Sequence, residues 1–217
     1  MFLKFPFVFL HRIMRDKIIE ISNDLFLTLG FKSVTMDDIA NNLGVSKKTI
    51  YKYFSNKTDL VAAVTGYTFD IICAGIDGII ALKLDPIDEL FSIKKLVMEH
   101  LKDEKSSPQY QLQKYYPKTY SWLRKKQFEV MQDCVVENLK NGIELGLYRK
   151  NMDVEFISRI YFMGINGIKD KELFPLNNYS MKTLMNYYLE YHLRGICTEK
   201  GTQQLEYQLK QQSIIYE

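Results

Sequence analysis

The stretch that decides the fold is "VTMDDIANNLGVSKKTIYKYFSNKTDL", residues 34–60. It carries the signals of two short helices in succession. Thr35 is followed three residues later by Asp38, the spacing of a capping box that begins a helix. Gly44 can adopt the left-handed conformation that ends this helix, and Ser46 is a good N-cap for the next one. Two short capped helices joined at a glycine predict a helix-turn-helix.

The charges of the two helices follow opposite rules. A helix N-terminus carries partial positive charge and favours acidic side chains. The first helix of the pair has Asp37 and Asp38 there, but the second has Lys47 and Lys48. Each such lysine costs on the order of 0.3–1 kcal/mol in isolation. Phosphates at this end would reverse that cost, because amide and ammonium groups both attract anions. The pattern predicts a nucleic-acid backbone as the partner.

Helical spacing separates the inward from the outward side of the second helix. Val45, Ile50 and Phe54 are predicted to face the core. The predicted working face consists of Lys47, Lys48, Thr49, Tyr51, Lys52 and Tyr53. Tyrosine hydroxyls can donate to phosphates, and threonine can contact a base edge. The alternative is a solvated basic face on a small helical bundle.

The overall charge points to the same part of the chain. The 217 residues have a net charge of +3 and are 47% hydrophobic, enough for one or two domains with a core. Residues 1–64 hold nine Lys/Arg and six Asp/Glu, so the remainder, with 20 of each sign, is neutral. An anionic partner is therefore expected to meet the N-terminal part.

Other classes of protein lack support in the sequence. The three cysteines, Cys73, Cys134 and Cys197, are far apart, and the three histidines have no metal-ligand spacing. No glycine-rich phosphate loop or nucleophile–base motif occurs. We therefore expect buried thiols in a reducing cytoplasm, no metal, no cofactor and no enzymatic activity.

The first ten residues, "MFLKFPFVFL", are mostly apolar and resemble an export signal. The apolar run is broken by Pro6 and is too short to span a bilayer. No small-residue cleavage site follows. We expect residues 1–11 to form a disordered or surface-packed extension, with a signal peptide as the minority interpretation.

Helical periodicity extends over the rest of the chain, and strand signals are nearly absent. The sequence predicts an all-α protein of about nine helices. Beyond the helix-turn-helix, helices are expected at about 12–29, 56–80, 86–102, 108–115, 117–146, 153–169 and 180–197. Asp85 and Ser107 each precede a proline and are predicted to cap the helix that follows. The tail is expected to be a loose helix or disordered.

These elements divide into four predicted segments. Residues 1–11 are the extension, 12–56 the helix-turn-helix domain, 57–200 a helical bundle, and 201–217 the C-terminal tail.

The stretch "FKSVTMDDIANNLGVSKKTIYKYFSNKTDLVAAV", residues 31–64, resembles the DNA-binding domain of the TetR family of bacterial transcriptional regulators. The resemblance implies an all-helical fold, usually of nine helices, and a homodimer that binds a palindromic operator. It also implies a ligand pocket in a variable C-terminal domain. The predicted partners are thus double-stranded operator DNA, a second copy of the chain and a small, largely apolar ligand.

The resemblance assigns roles to individual residues. By position, Thr35 matches a phosphate contact and Lys57 a phosphate-binding lysine, and Ser46 joins the predicted DNA-binding set. Lys52 stands where many members have an aromatic residue, so a charge contact is expected there instead of stacking.

The C-terminal half is predicted from the resemblance and from apolar spacing. The last two family helices imply a dimer interface at Ile157, Tyr161, Gly164, Ile168, Leu184, Met185 and Tyr188. Packing within one subunit is the alternative. The candidate pocket residues are Tyr110, Tyr115, Tyr116, Tyr120, Trp122, Phe128 and Met131. Here the alternative is an ordinary aromatic core.

The sequence as a whole predicts a sequence-specific DNA-binding regulator in the cytoplasm, a homodimeric repressor that responds to a ligand. The alternative is a helical adaptor whose basic N-terminal face binds an anionic protein or membrane surface.

Overall fold

The computed structural model describes residues 5–102, 107–175 and 177–215, and in these ranges it is helical throughout, without a named strand. Ten α-helices follow one another in these described ranges. They are α1 Phe5–Leu29, α2 Met36–Leu43, α3 Lys47–Tyr51, α4 Lys57–Ala81, α5 Pro86–His100, α6 Pro108–Tyr115, α7 Pro117–Glu144, α8 Val154–Gly167, α9 Met181–Ile196 and α10 Glu199–Ile215. The predicted all-α class is confirmed, with one helix more than expected.

The chain forms two compact units that interleave in sequence. Unit 1 is Met1–Ile71 with Glu104–Leu123, and unit 2 is Ile72–Asp103 with Arg124–Glu217. The domain boundary predicted between residues 56 and 57 assigns α6 to the C-terminal helical bundle. In the structure α6 joins unit 1, because its Leu112 is buried in the same core as the N-terminal helices.

Unit 1 has a core built from every one of its first four helices. Its fully buried side chains include Ile18 of α1, Ile39 of α2, Ile50 of α3 and Leu60 of α4. Helix α1 begins at Phe5, so the helix starts earlier than the expected position near residue 12. Residues 1–4 of the predicted extension lie outside the described residues.

Unit 2 is a helical bundle in which the C-terminal tail takes part. Its fully buried residues include Leu139 of α7, Leu193 of α9 and Leu205 of α10. A Cβ atom at Gly201 would overlap the backbone carbonyl of Leu147, so glycine permits the close approach of α10. The tail is therefore a packed helix, which corrects the expectation of a loose or disordered segment.

Most predicted caps are present, with one exception. Asp85, Asp153 and Ser180 each accept a hydrogen bond from a backbone N–H in the first turn of the following helix. Ser107 instead has φ 51° and makes no side-chain cap bond. The three caps that are present have extended backbone, whereas Ser107 is left-handed, so this predicted cap is wrong.

Helix α4 is the one helix in the described ranges that is long and apolar enough to cross a membrane. Length and apolar composition alone do not identify a membrane span, because a core helix of a soluble protein can have both. The first turns of α4 pack in the core of unit 1 through Leu60, Val61 and Val64.

Candidate nucleic-acid interface

Helix α2 is fixed at both ends by local hydrogen bonds. The Thr35 hydroxyl accepts from the Asp38 N–H at 3.2 Å, and the Asp38 carboxylate accepts from the Thr35 N–H at 2.8 Å. These bonds lower the pKa of Asp38, the backbone bond from Thr35 contributing most. Gly44 ends the helix with φ 66°. The predicted capping box and glycine turn are both present.

Helix α3 is short and is held from one side. The Ser46 hydroxyl accepts from the Thr49 N–H at 3.1 Å and so caps the helix. Ile50 is fully buried, and Phe54, just after the helix, is buried beside it. Because α3 packs against α2 through this side, its other side faces outward.

The outward side of α3 carries most of the predicted contact residues. Lys48 and Lys52 are exposed, and 44% of Tyr51 is exposed. The side chain of Thr49 is half-buried, and its hydroxyl lies 2.9 Å from that of Ser46. Lys48, Lys52 and Tyr51 thus form an exposed face on a helix whose other side is packed against the core. Such a face can contact phosphates and base edges.

Lys47 has a partner that the sequence reasoning missed. Its ammonium group donates to the Asp37 carboxylate of α2 at 2.7 Å. This hydrogen bond is the main cause of the raised pKa of Lys47. The pair is exposed, so it adds little stability. It does hold the lysine toward α2, and a phosphate must compete with Asp37 for it.

Tyr53 and Lys57 lie at the margin of this face. Tyr53 is half-buried against the core of unit 1, and its ring centroid lies 4.3 Å from that of His11. The Lys57 ammonium lies 6.0 Å from the centroid of Phe26. Burial lowers the pKa of Lys57, while the charge of Asp38 opposes that shift. The negative charge of a phosphate near Lys57 would stabilise the protonated ammonium and so offset the effect of partial burial.

A comparison with family models gives the decisive match. The model described as "Bacterial regulatory proteins, tetR family" matches residues 18–64, from α1 through α3 to the first turns of α4. This region is that of a TetR-family regulator. The chain is a DNA-binding transcriptional regulator, and this class of protein is not enzymatic.

Curated TetR-family relatives match well beyond the helix-turn-helix. The chain is similar to the transcriptional repressor KstR2 of Mycolicibacterium smegmatis, with 22% identity over 192 residues, 86% of this chain and 92% of the relative. It is also 25% identical over 152 residues to KstR2 of Mycobacterium tuberculosis, which covers 67% of this chain and 74% of the relative.

Solved structures show the same TetR fold. A TetR-family regulator from Agrobacterium tumefaciens superposes with a TM-score of 0.68 at 18% identity, covering 86% of this chain and 99% of its own. At this sequence identity the structural similarity indicates a shared fold and nothing further.

The predicted pocket residues are divided between the two units. Tyr110, Tyr115 and Trp122 are exposed in unit 1. Tyr116 and Tyr120 pack against the core of unit 1. The remaining two belong to unit 2, where Met131 packs against the core and the Phe128 ring lies 5.1 Å from that of Phe162.

The predicted dimer residues pack inside unit 2. Tyr161, Ile168, Leu184 and Met185 are buried. The Tyr188 hydroxyl donates to the carbonyls of Ile160 and Tyr161 at 3.0 Å each. A Cβ atom at Gly164 would overlap the Tyr188 ring, and Ile157 packs against the core. These residues therefore join α8 to α9, which corresponds to the alternative of packing within one subunit.

The sides of α8 and α9 that are exposed to solvent carry a second set of apolar residues. These are Phe156, Ile160 and Met163 on α8, and Tyr187 and Tyr191 on α9. We refer to these five residues as the outer face. Met163 is 65% exposed and Tyr191 77% exposed. Their spacing of three and four residues places them on one side of each helix.

Proposed function

We propose that the chain is a homodimeric, ligand-responsive repressor that binds a palindromic operator in the cytoplasm. The observation that carries the proposal is the open face of α3, where Lys48, Tyr51 and Lys52 are exposed while Ile50 anchors the helix. A helix presented in this way can lie in the major groove while its neighbours contact the backbone. The adaptor alternative is not favoured, because the match to the family covers this helix pair.

The outer face supports the homodimer. Five large apolar side chains on two neighbouring helices are costly to leave in water and mark an interaction surface. A second copy offers the same face, and a two-fold arrangement lets the two faces cover each other. The proposed interface is thus Phe156, Ile160, Met163, Tyr187 and Tyr191, in place of the inward residues predicted from the sequence.

The dimer also explains how a ligand could act. Two recognition helices on one side of DNA must be about one helical turn, 34–36 Å, apart. A ligand that binds one arrangement of the subunits more tightly shifts the population toward that arrangement. If that arrangement has a different separation, operator affinity falls. We place the ligand in unit 2, where Phe128 and Met131 are the remaining candidates for an apolar site.

The interface assignment is tested by charge substitution. Met163→Lys combined with Tyr191→Lys should convert the dimer to a monomer in analytical ultracentrifugation, because four charges would be buried at a two-fold contact. Leu173→Lys is the matched control, since Leu173 is 70% exposed but lies outside α8 and α9. A double variant that remains dimeric would reject the outer face as the interface.

The DNA function is tested by selection. The protein is incubated with a random-sequence duplex pool, and the retained duplexes are sequenced and titrated against mixed-sequence DNA. We expect a palindromic consensus that binds at least about 10³-fold more tightly than mixed DNA. Equal affinity for both would instead support a surface that binds anions without reading sequence.

A further inference from the structure

We propose that the N-terminal turns of α1 form a second contact with the DNA backbone, in which Arg12 and Arg15 bind phosphates beside the recognition helix. The inference rests on the proposed function, since it requires α3 to enter a major groove. Both arginines lie outside residues 18–64, the part that matches the family model.

Two ring contacts place the start of α1 against the end of α3. The His11 ring centroid is 4.3 Å from that of Tyr53, and the guanidinium carbon of Arg15 is 5.3 Å from the Phe54 centroid. Tyr53 and Phe54 follow α3 within three residues of its last residue, Tyr51. The N-terminal turns of α1 therefore lie next to the C-terminal end of the recognition helix.

The dimensions of DNA give this position a consequence. The major groove is about 12 Å wide, and a helix with its side chains measures about 10–12 Å across. Helix α3 would fill the groove on its own. A second helix packed at its end can then lie over the phosphates that border the groove, as the first helix of a helix-turn-helix does.

The charges of this segment suit phosphate. Residues 11–17, "HRIMRDK", contain Arg12, Arg15 and Lys17 against a single acid, Asp16. The Arg12 side chain is 84% exposed, and its nearest approach to Asp16 is a long 4.0 Å pair. An exposed pair of that length is worth little and is easily exchanged for a phosphate. The planar guanidinium groups can bind phosphate oxygens with two parallel hydrogen bonds.

Arg15 is also partly ordered before DNA arrives. Its guanidinium group lies over the Phe54 ring, and Phe54 is itself buried in the core of unit 1. A side chain already restrained in this way loses less conformational entropy when it binds. The stacking therefore directs the positive charge toward the side of α1 that borders the recognition helix.

The test is the salt dependence of DNA binding by the double variant Arg12→Gln, Arg15→Gln. The probes are the duplex selected by the wild-type protein and a mixed-sequence duplex of the same length. Each lost phosphate contact lowers the slope of log affinity against log salt by about 0.9. The two protomers of the dimer together lose four contacts, so the slope should fall by about 3.6. Across a fourfold change in salt this equals about a 150-fold difference. Both duplexes should be affected equally, because phosphate contacts carry no sequence information.

Two controls isolate the contacts from the overall charge. Arg124→Gln with Lys125→Gln removes the same charge from exposed positions on α7 and should leave the slope unchanged. Arg15→Lys, with Arg12 intact, should retain most of the wild-type slope. An unchanged slope in the double variant, or an equal fall in the α7 control, would overturn the inference. Failure of the wild-type protein to select any duplex would instead reject the proposed function itself.

Discussion

The helix pair α2–α3 and the helix pair α8–α9 are both packed pairs, yet different forces orient their side chains. In α2–α3 each helix begins at a hydrogen-bonded cap, at Thr35 or Ser46, and the glycine turn at Gly44 sets the connection. In α8–α9 the caps fix where the helices begin, but each helix has apolar residues on two sides. Which side faces inward is decided by contacts such as the Tyr188 hydroxyl with two carbonyls of α8.

The outward residues of a short, capped, polar helix can be predicted from its sequence, whereas those of a long apolar helix cannot. A short helix with one apolar side has a single way to pack, so its outward residues follow directly from the sequence. A helix that is apolar on two sides has two ways to pack within a subunit. One side then meets the core, and the other remains for a partner.

The sharpest test of the first half of this comparison uses two adjacent residues of α3. Ile50 is fully buried and Tyr51 is exposed. Ile50→Ala should lower the free energy of unfolding by about 2–5 kcal/mol, because it leaves a cavity in the core of unit 1. Tyr51→Ala should change it by less than about 0.5 kcal/mol. Urea denaturation of both variants gives the two values, and similar losses would contradict the assigned faces.

A buried titratable group in unit 2 gives the next largest effect. His192 on α9 packs against the Tyr161 ring, and burial lowers the pKa of His192 to about 4. In the unfolded chain it is about 6.5, so the folded state binds fewer protons between these values. Its contribution is present above about pH 6.5 and is lost as the pH falls toward about 4.

This linkage predicts a specific difference between two denaturation profiles. From about pH 7 to about pH 5 the wild-type chain should lose about 2 kcal/mol through His192 alone. His192→Phe keeps a ring beside Tyr161 but cannot take up a proton, so it should lack this loss. The quantity to measure is the wild-type free energy of unfolding minus that of the variant at each pH. Parallel profiles would show that His192 is not held neutral by the packing of α8 on α9.

The smallest expected effect compares a cap that is present with one that is absent. The Ser46 hydroxyl accepts from Thr49, whereas Ser107 makes no cap bond to α6. Ser46→Ala should cost about 1 kcal/mol, within the usual range for a lost N-cap. Ser107→Ala should have an effect close to zero. Thermal denaturation can resolve the two, and equal costs would mean that Ser107 stabilises the fold by another route.

Local rules explain how much the sequence could predict. Caps at Thr35, Ser46, Asp85 and Ser180 depend on a few neighbouring residues, and all are found where predicted. The helix ranges follow for the same reason. Ser107 precedes a proline as Asp85 does, but its backbone is left-handed, and the sequence pattern does not encode that conformation.

Long-range contacts explain the rest. The sequence could not show that Leu112 of α6 joins the core of unit 1, or that Leu205 brings the tail into unit 2. The same holds for the interface, where His11 and Arg15 approach Tyr53 and Phe54 from a distant part of the chain. Their basic character was visible in the sequence, whereas their position was not.

The central claim is that the open face of α3 binds DNA, and one titration tests it most directly. Tyr51→Ala removes an exposed side chain from that face without touching the core or the outer face. On the duplex selected by the wild-type protein, at moderate salt, we expect an affinity loss of about tenfold or more, equivalent to about 1.4 kcal/mol, with the dimer and the fold unchanged. An affinity equal to that of the wild-type protein in the same gel-shift titration would contradict the claim.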